Sequence, residues 1–275
     1  MRARLIVTTV AAALAAPVAA AQSPYTLTGN VALVGDYRFR GLSQTYTQPA
    51  IQGGADYASA AGAYVGAWGS NVSGNQFLNG GSLELDLYGG YRFTAGKVGL
   101  DLGLQYYWYP GARYNINPGD RYNTTEVYGG VRYNQFSAKY SYALTNLFGM
   151  KTGTIGGYCG IGADGTPATT DCLGTGGSKG SGYVDLNATF NLPLGASLAL
   201  HGGRQYVRGG GYDRLSYSDF KVGLTRALGA TTFGVAIVGT DAEGRFYRYT
   251  PTTGGSGETE DVSRRGIVLS ATRTF

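Results

Sequence analysis

Only a few groups of residues in this chain have types and spacings that chemistry could use. Gly176-Gly177-Ser178-Lys179-Gly180 has the Gly-x-Ser-x-Gly form of a nucleophile elbow. That motif presents a serine on a strained turn between a strand and a helix, whereas this copy sits inside a Gly-rich loop, so no nucleophile is assigned to it. The chain has one histidine, His201, with Ser197 earlier in the same segment and Asn187 in the segment before; a serine, a base and an orienting partner are the parts of a hydrolytic triad. Asp213 and Asp241 are acidic loop residues with no histidine in their own strand or loop, which leaves an acid and histidine proteolytic pair without its base. Cys159 and Cys172 share one loop. A metal site would want four ligands, and no His or further Cys lies near them, so a disulfide is expected for a chain that crosses an oxidising compartment. Closing a loop of this length stabilises by roughly 3 kcal/mol in the chain-entropy model. Asn71-Val72-Ser73 and Asn123-Thr124-Thr125 match a glycosylation acceptor and are read as plain loop residues. No metal, cofactor or catalytic residue is expected.

The elements that would carry these residues are strands. There are 47 Gly and 23 Tyr but only two Met, and charged residues make up 14%, against about 25% in an average soluble domain. Arg2 and Arg4, an apolar run from Leu5 to Val18 and a small-residue site at Ala19-Ala20-Ala21 read as a secretory signal. This run contains Pro17 and is shorter than the roughly 20 apolar residues of a spanning helix. Residues 1–21 are therefore set apart from a single domain over 22–275. The formal charge of +5 falls to +3 without the two signal arginines. Lys and Arg do not gather on one stripe, which argues against nucleic acid as a partner.

Period two runs along nearly the whole remaining chain. Leu27, Gly29, Val31, Leu33, Gly35, Tyr37 and Phe39 alternate with Thr28, Asn30, Ala32, Val34, Asp36, Arg38 and Arg40, and the same split recurs around Leu83–Phe93 and Val98–Tyr109. Twelve strands are expected near 26–40, 50–58, 62–70, 82–93, 97–109, 122–133, 136–146, 182–192, 196–207, 216–227, 231–240 and 264–275. The gaps between them alternate short and long, and aromatic residues gather toward strand ends. Short turns on one side, long loops on the other and aromatic girdles are properties of an outer-membrane β-barrel. The expected fold is therefore an all-β, antiparallel up-and-down transmembrane barrel with a long outside loop at 147–181.

One stretch also resembles a known family. Arg40, Gly41, Ser43 and Thr45 lead into Pro49, Ala50, Gln52, Gly53 and Gly54, followed by Tyr64, Gly66, Trp68, Gly69, Ser70 and Asn71. Glu84–Tyr91, Tyr109-Pro110-Gly111 and Glu126–Gly130 add shorter matches. In this pattern the chain resembles the TorF family of proteobacterial porins, well in its first half and loosely in its second. The resemblance implies a signal peptide, a barrel in the outer membrane of a Gram-negative bacterium and a porin role, with no catalytic or ligand residues to carry over.

Parity then assigns the lumen. Asp36, Arg38, Arg40, Asp56, Glu84, Asp86, Arg92, Asp101, Glu126, Arg132, Lys139, Asp185, Asp219 and Lys221 are expected to face inward, because Arg or Lys on the lipid face at mid-membrane costs about 2–4 kcal/mol. Ser197 and His201 fall on the inward parity too, whereas outer-membrane phospholipases keep their triad on the lipid side. Tyr88, Tyr107, Tyr109 and Tyr128 should narrow the lumen. Arg38, Arg40, Arg264 and Arg265 are expected to form a basic patch at the outer mouth. Together these expectations describe a passive channel for small hydrophilic solutes with lipid around it. A plugged structural or surface-binding barrel and a lipolytic enzyme are the alternatives.

Overall fold

The structure, a computed structural model, describes residues 24–114, 119–251 and 258–275; the expected signal segment lies outside the described residues. Twelve antiparallel strands close into one barrel. They are β1 (Tyr25–Val34), β2 (Ala50–Ser59), β3 (Ala63–Asn71), β4 (Leu83–Ala95), β5 (Val98–Trp108), β6 (Thr124–Tyr133), β7 (Phe136–Ala143), β8 (Gly182–Asn191), β9 (Ala196–Tyr206), β10 (Tyr217–Leu228), β11 (Thr231–Thr240) and β12 (Gly266–Thr274). Each strand pairs with its sequence neighbours, and β1 closes the ring on β12, with Asn30 opposite Thr274 and Val34 opposite Ser270. Full closure leaves the wall no unpaired edge.

The barrel is apolar outside and polar within. Leu27, Leu33, Ile51, Val65, Leu102, Leu104, Ile267 and Leu269 are all exposed on the outer surface, while Glu84, Asp86, Gln105, Glu126, Asp185 and Asp219 are buried. Residues of β3 alternate strictly between the two faces over Ala63–Trp68. Exposed aromatics mark both rims: Tyr25, Tyr57, Phe93, Tyr133, Phe136 and Phe275 at the short-turn end, and Trp108, Tyr142 and Tyr206 at the long-loop end. Such a surface matches hydrocarbon flanked by headgroup layers.

The richness in Gly and Tyr has a packing cause on the inner face. Tyr88 stands directly across from Gly66, Tyr64 from Gly90 and Tyr128 from Gly103. A Cβ added at Gly66 or Gly103 would come within 2.5 Å of the facing tyrosine. The absent side chain is the space into which the ring lies, so each glycine covers its own exposed backbone with a neighbour's aromatic plane.

One strand differs from its expected course. The alternating pattern over 26–40 predicts a single strand, but β1 ends at Val34. Gly35 donates its N–H to the Leu269 carbonyl, and the chain then turns into the barrel instead of continuing up the wall. Alternation alone cannot tell a wall strand from a hairpin arm, since both show period two.

Candidate functional site

The inward segment is a hairpin whose two short arms, Arg38–Phe39 and Leu42–Ser43, pair with each other. Its turn is Arg40-Gly41, with φ of 47° and 80°; positive φ at both central residues is the geometry of a tight two-residue hairpin turn. Asp36 anchors the base. Its carboxylate accepts from the Ser43 hydroxyl at 2.6 Å, from the Thr45 hydroxyl at 3.3 Å and from the Arg38 guanidinium. The Gln76 side chain donates to the Ser43 carbonyl at 2.6 Å, tying the hairpin to the next loop. The Arg-Gly-x-Ser-x-Thr residues that carry the family resemblance are therefore the turn and base of this hairpin.

The tip crosses the lumen. A Cβ on Gly41 would collide with Thr240 and Asp219 on β11 and β10, so only glycine fits where the turn meets the far wall. Arg40 is buried there, donating to Glu126 of β6 at 2.7 Å and to Gln205 of β9 at 2.7 Å, with its guanidinium 4.3 Å from the centre of the Tyr183 ring. Around the hairpin, the long-loop half of the lumen is filled. Phe39 packs edge-on against Tyr107 at 5.4 Å and Phe148 at 5.8 Å. Tyr37 lies against Trp68, and Phe77 stacks on Tyr109.

Below the hairpin the lumen opens into a cavity of about 430 Å³ that reaches the short-turn rim at Thr26, Ala58 and Thr232. Asp36, Arg38, Arg40, Asp56, Arg92, Asp101, Lys139, Asp185, Asp219 and Lys221 of the expected inward set line it, together with His201, Tyr88 and Tyr128. The remaining members of that set sit elsewhere. Glu84 and Asp86 are fully buried higher up, where Tyr109 donates to Glu84 at 3.0 Å and Gln105 donates to Asp86 at 3.0 Å. Glu126 holds Arg40, and Tyr107, also buried, donates to the same carboxylate. Arg132 is exposed at the short-turn end of β6 and does not line the cavity.

Charges in the cavity are mostly paired across adjacent strands. Arg92 meets Asp101 at 3.2 Å, and Lys139 meets Asp185 at 4.0 Å. His201 lies between two carboxylates, with Nε2 at 2.8 Å from Asp219 and Nδ1 at 3.2 Å from Asp185. Both ring nitrogens face acceptors, an arrangement suited to an imidazolium that donates from each. Asn187 is also 3.0 Å from Nδ1. Ser197 is four residues from His201 along β9, about 13 Å of strand, so the two do not form a nucleophile and base.

The expected basic patch at the mouth is not formed. Arg38 pairs with Asp36 and donates to the carbonyls of Gly41, Val262 and Arg264. Arg40 points into the lumen, Arg264 pairs with Glu260 at 2.8 Å and Arg265 lies over the Phe220 ring. A first strand running to residue 40 would bring Arg38 and Arg40 to the rim beside Arg264 and Arg265; because β1 ends at Val34, both lie on the hairpin instead.

The long loops form a cap over the filled half. The 147–181 loop contains the Cys159–Cys172 disulfide and a short helix, Thr152–Ile155. Leu147, Leu173, Val207, Tyr212, Leu215 and Phe246 from three loops bury a shared core. Asp171 bridges Arg214 at 2.7 Å and Arg245 at 2.6 Å, and both arginines also bind Glu243. Hydrogen bonds from Arg214 and then Arg245 hold the Asp171 carboxyl below its ordinary range. Ser178 is fully buried and donates to the Met150 carbonyl at 2.6 Å, a loop tie in place of an elbow. Asn71 accepts from the Ile51 N–H and Asn123 from the Tyr109 N–H, so both side chains satisfy backbone at strand ends. Asp241 likewise accepts from the Ser218 N–H, and Asp213 is exposed.

Among solved structures the chain is similar to the NanC porin, with a TM-score of 0.50 and 7% identity over 90% of this chain and 98% of that one. The KdgM porin matches with a TM-score of 0.49 and 8% identity over 91% of this chain and 99% of that one. Omp33 of Acinetobacter baumannii gives 0.45 and 7%, over 91% and 98%. At such identities the likeness to NanC is one of barrel fold. No curated protein matches by sequence. The sequence profile that does match carries a different name from the TorF family suggested by residues 37–72. That profile spans residues 18–275, and the chain belongs to the family it defines, Gcw_chp, bacterial proteins of unknown function.

Proposed function

We propose that this protein is a porin-like channel of the bacterial outer membrane that passes small hydrophilic solutes without catalysis, with the Asp36–Gln48 hairpin as its constriction. The observation that carries this reading is the charge-lined cavity of about 430 Å³ inside a closed barrel whose outer surface is apolar. Charged side chains tolerate a wet interior and act on whatever enters it, selecting by size and sign. By the rule that long loops face outward, the cap lies on the cell surface and the cavity opens toward the periplasm. The porin role implied by the TorF resemblance belongs to the same proposal. A second reading, a barrel kept closed, is favoured by the hairpin and aromatic cluster that fill the long-loop half.

Planar-bilayer recording of the refolded full-length protein tests the two. Reproducible conductance steps are expected for the channel. Silence from protein whose folding is established by heat-dependent gel migration would support the closed barrel instead.

A further inference from the structure

Among the described residues, every charged group lining the cavity can be matched with an opposite charge, with two exceptions. Asp36 pairs with Arg38, Arg40 with Glu126, Arg92 with Asp101, Lys139 with Asp185, and His201 with Asp219. Lys221 on β10 and Asp56 on β2 also line the cavity, and among the described residues neither is in an ion pair. Among the described residues, the Asp56 carboxylate accepts only from the Tyr88 hydroxyl, at 2.6 Å. That bond fixes its direction and leaves its charge uncompensated.

Lys221 stands between His201 on β9 and Val238 on β11. Its side chain runs toward Gly223, where an added Cβ would lie 3.5 Å from the Lys221 Cε. That path leads away from Asp219 and along a part of the cavity wall made of small residues, Ala199, Gly223, Gly234 and Ala236. Facing it, Tyr64, Tyr88 and Tyr128 form a wall of rings. A half-buried ammonium with no counter-ion and a carboxylate held by a neutral hydroxyl both retain a strong demand for an ionic partner. They stand on walls separated by three strands one way round the ring and seven the other.

We propose that this cavity is a binding site for small zwitterions, amino acids or short peptides, whose carboxylate meets Lys221 and whose ammonium is drawn to Asp56. The assignment rests on the solute-channel reading for its biological use, but binding itself does not require conduction. A solute carrying one charge would satisfy one wall and leave the other uncompensated, so zwitterions are favoured over simple anions or cations of similar size. Charge-assisted hydrogen bonds contribute enough that losing one weakens binding by about tenfold.

Calorimetric titration of the full-length refolded protein in detergent, with triglycine, acetate and methylammonium as probes, tests the site. Saturable triglycine binding is expected, tighter than that of either single-charge probe. Lys221→Met and Asp56→Asn should each weaken triglycine by about tenfold, and Lys221→Arg should restore it. Acetate should respond to Lys221→Met and not to Asp56→Asn. Equal affinity for acetate and triglycine would overturn the zwitterion assignment using the unmodified protein alone, as would triglycine binding that both substitutions leave intact. Absence of triglycine binding would overturn it too. A silent bilayer trace alongside intact triglycine binding would remove the channel reading and leave the site standing.

Discussion

The two halves of this lumen are built from the same wall and yet hold opposite contents. Near the long loops, Arg40, Phe39, Tyr37 and the aromatic cluster fill the barrel, and a disulfide-containing cap packs over them. Near the short turns, the same alternation of strand residues lines an open cavity with charges. The difference comes from Gly35–Gln48, which leaves the wall and occupies the first half only. A barrel of this size therefore does not fix by strand count whether it is open or filled, and one inserted segment decides the matter for each half separately.

If that segment is the cause, removing it should make the halves alike. Replacing residues 37–47 with a short Gly-Ser link is expected to produce the largest effect, a several-fold rise in single-channel conductance with the barrel still heat-modifiable on gels. Unchanged current would mean that the aromatic cluster and cap close the lumen without the hairpin.

A narrower cut is Arg40→Ala. It leaves Glu126 buried without its cation, which costs about 3–5 kcal/mol where a buried pair is broken from one side. The expected readout is a lower urea midpoint for unfolding, largely recovered when Arg40→Met is combined with Glu126→Leu. No recovery would show that Arg40 stabilises through Gln205 and Tyr183 instead.

The cap should respond on its own. Reducing Cys159–Cys172, or replacing both with Ser, is expected to cost about 3 kcal/mol in loop ordering, with hydrogen exchange accelerated in 147–181 and unchanged in β4 and β5. Faster exchange in those wall strands would mean that cap and wall unfold together.

The smallest expected effect is that of acid on the cap. The Asp171 carboxyl is held low by Arg214 and Arg245, so its contribution is present above the unfolded carboxylate value of about 3.9 and is lost as pH falls through the lower folded value. Amide exchange around Asp171 should therefore quicken only under strongly acidic conditions, and Asp171→Asn should remove that dependence. A transition near neutrality would point to a different group.

How much of this was legible in the chain follows from the range of each interaction. Alternation is a property of neighbouring residues, so Leu83–Ala95 and Val98–Trp108 could be read as strands, and their inward and outward sets sorted, without any partner in view. Charge at the lipid face is costly enough that parity placed Asp56, Asp101, Lys139 and Lys221 inside. Segregation of short turns from long loops implied one antiparallel ring, and the shared loop of Cys159 and Cys172 pointed to their bond.

The path of residues 35–48 was not legible, because its determinants lie far along the chain. Arg40 is held by Glu126 and Gln205, 86 and 165 positions away, and Gly41 is selected by a wall formed near residues 219 and 240. The positive φ at Arg40 carries no sequence signal, since arginine is not a residue that favours it. The same limit explains why the mouth arginines were misplaced and why the isolation of Lys221 and Asp56 could not be foreseen. Sequence fixes which side of a strand a charge occupies, through a period of two; only the closed ring decides which opposite charges come within reach of it and which are left without one.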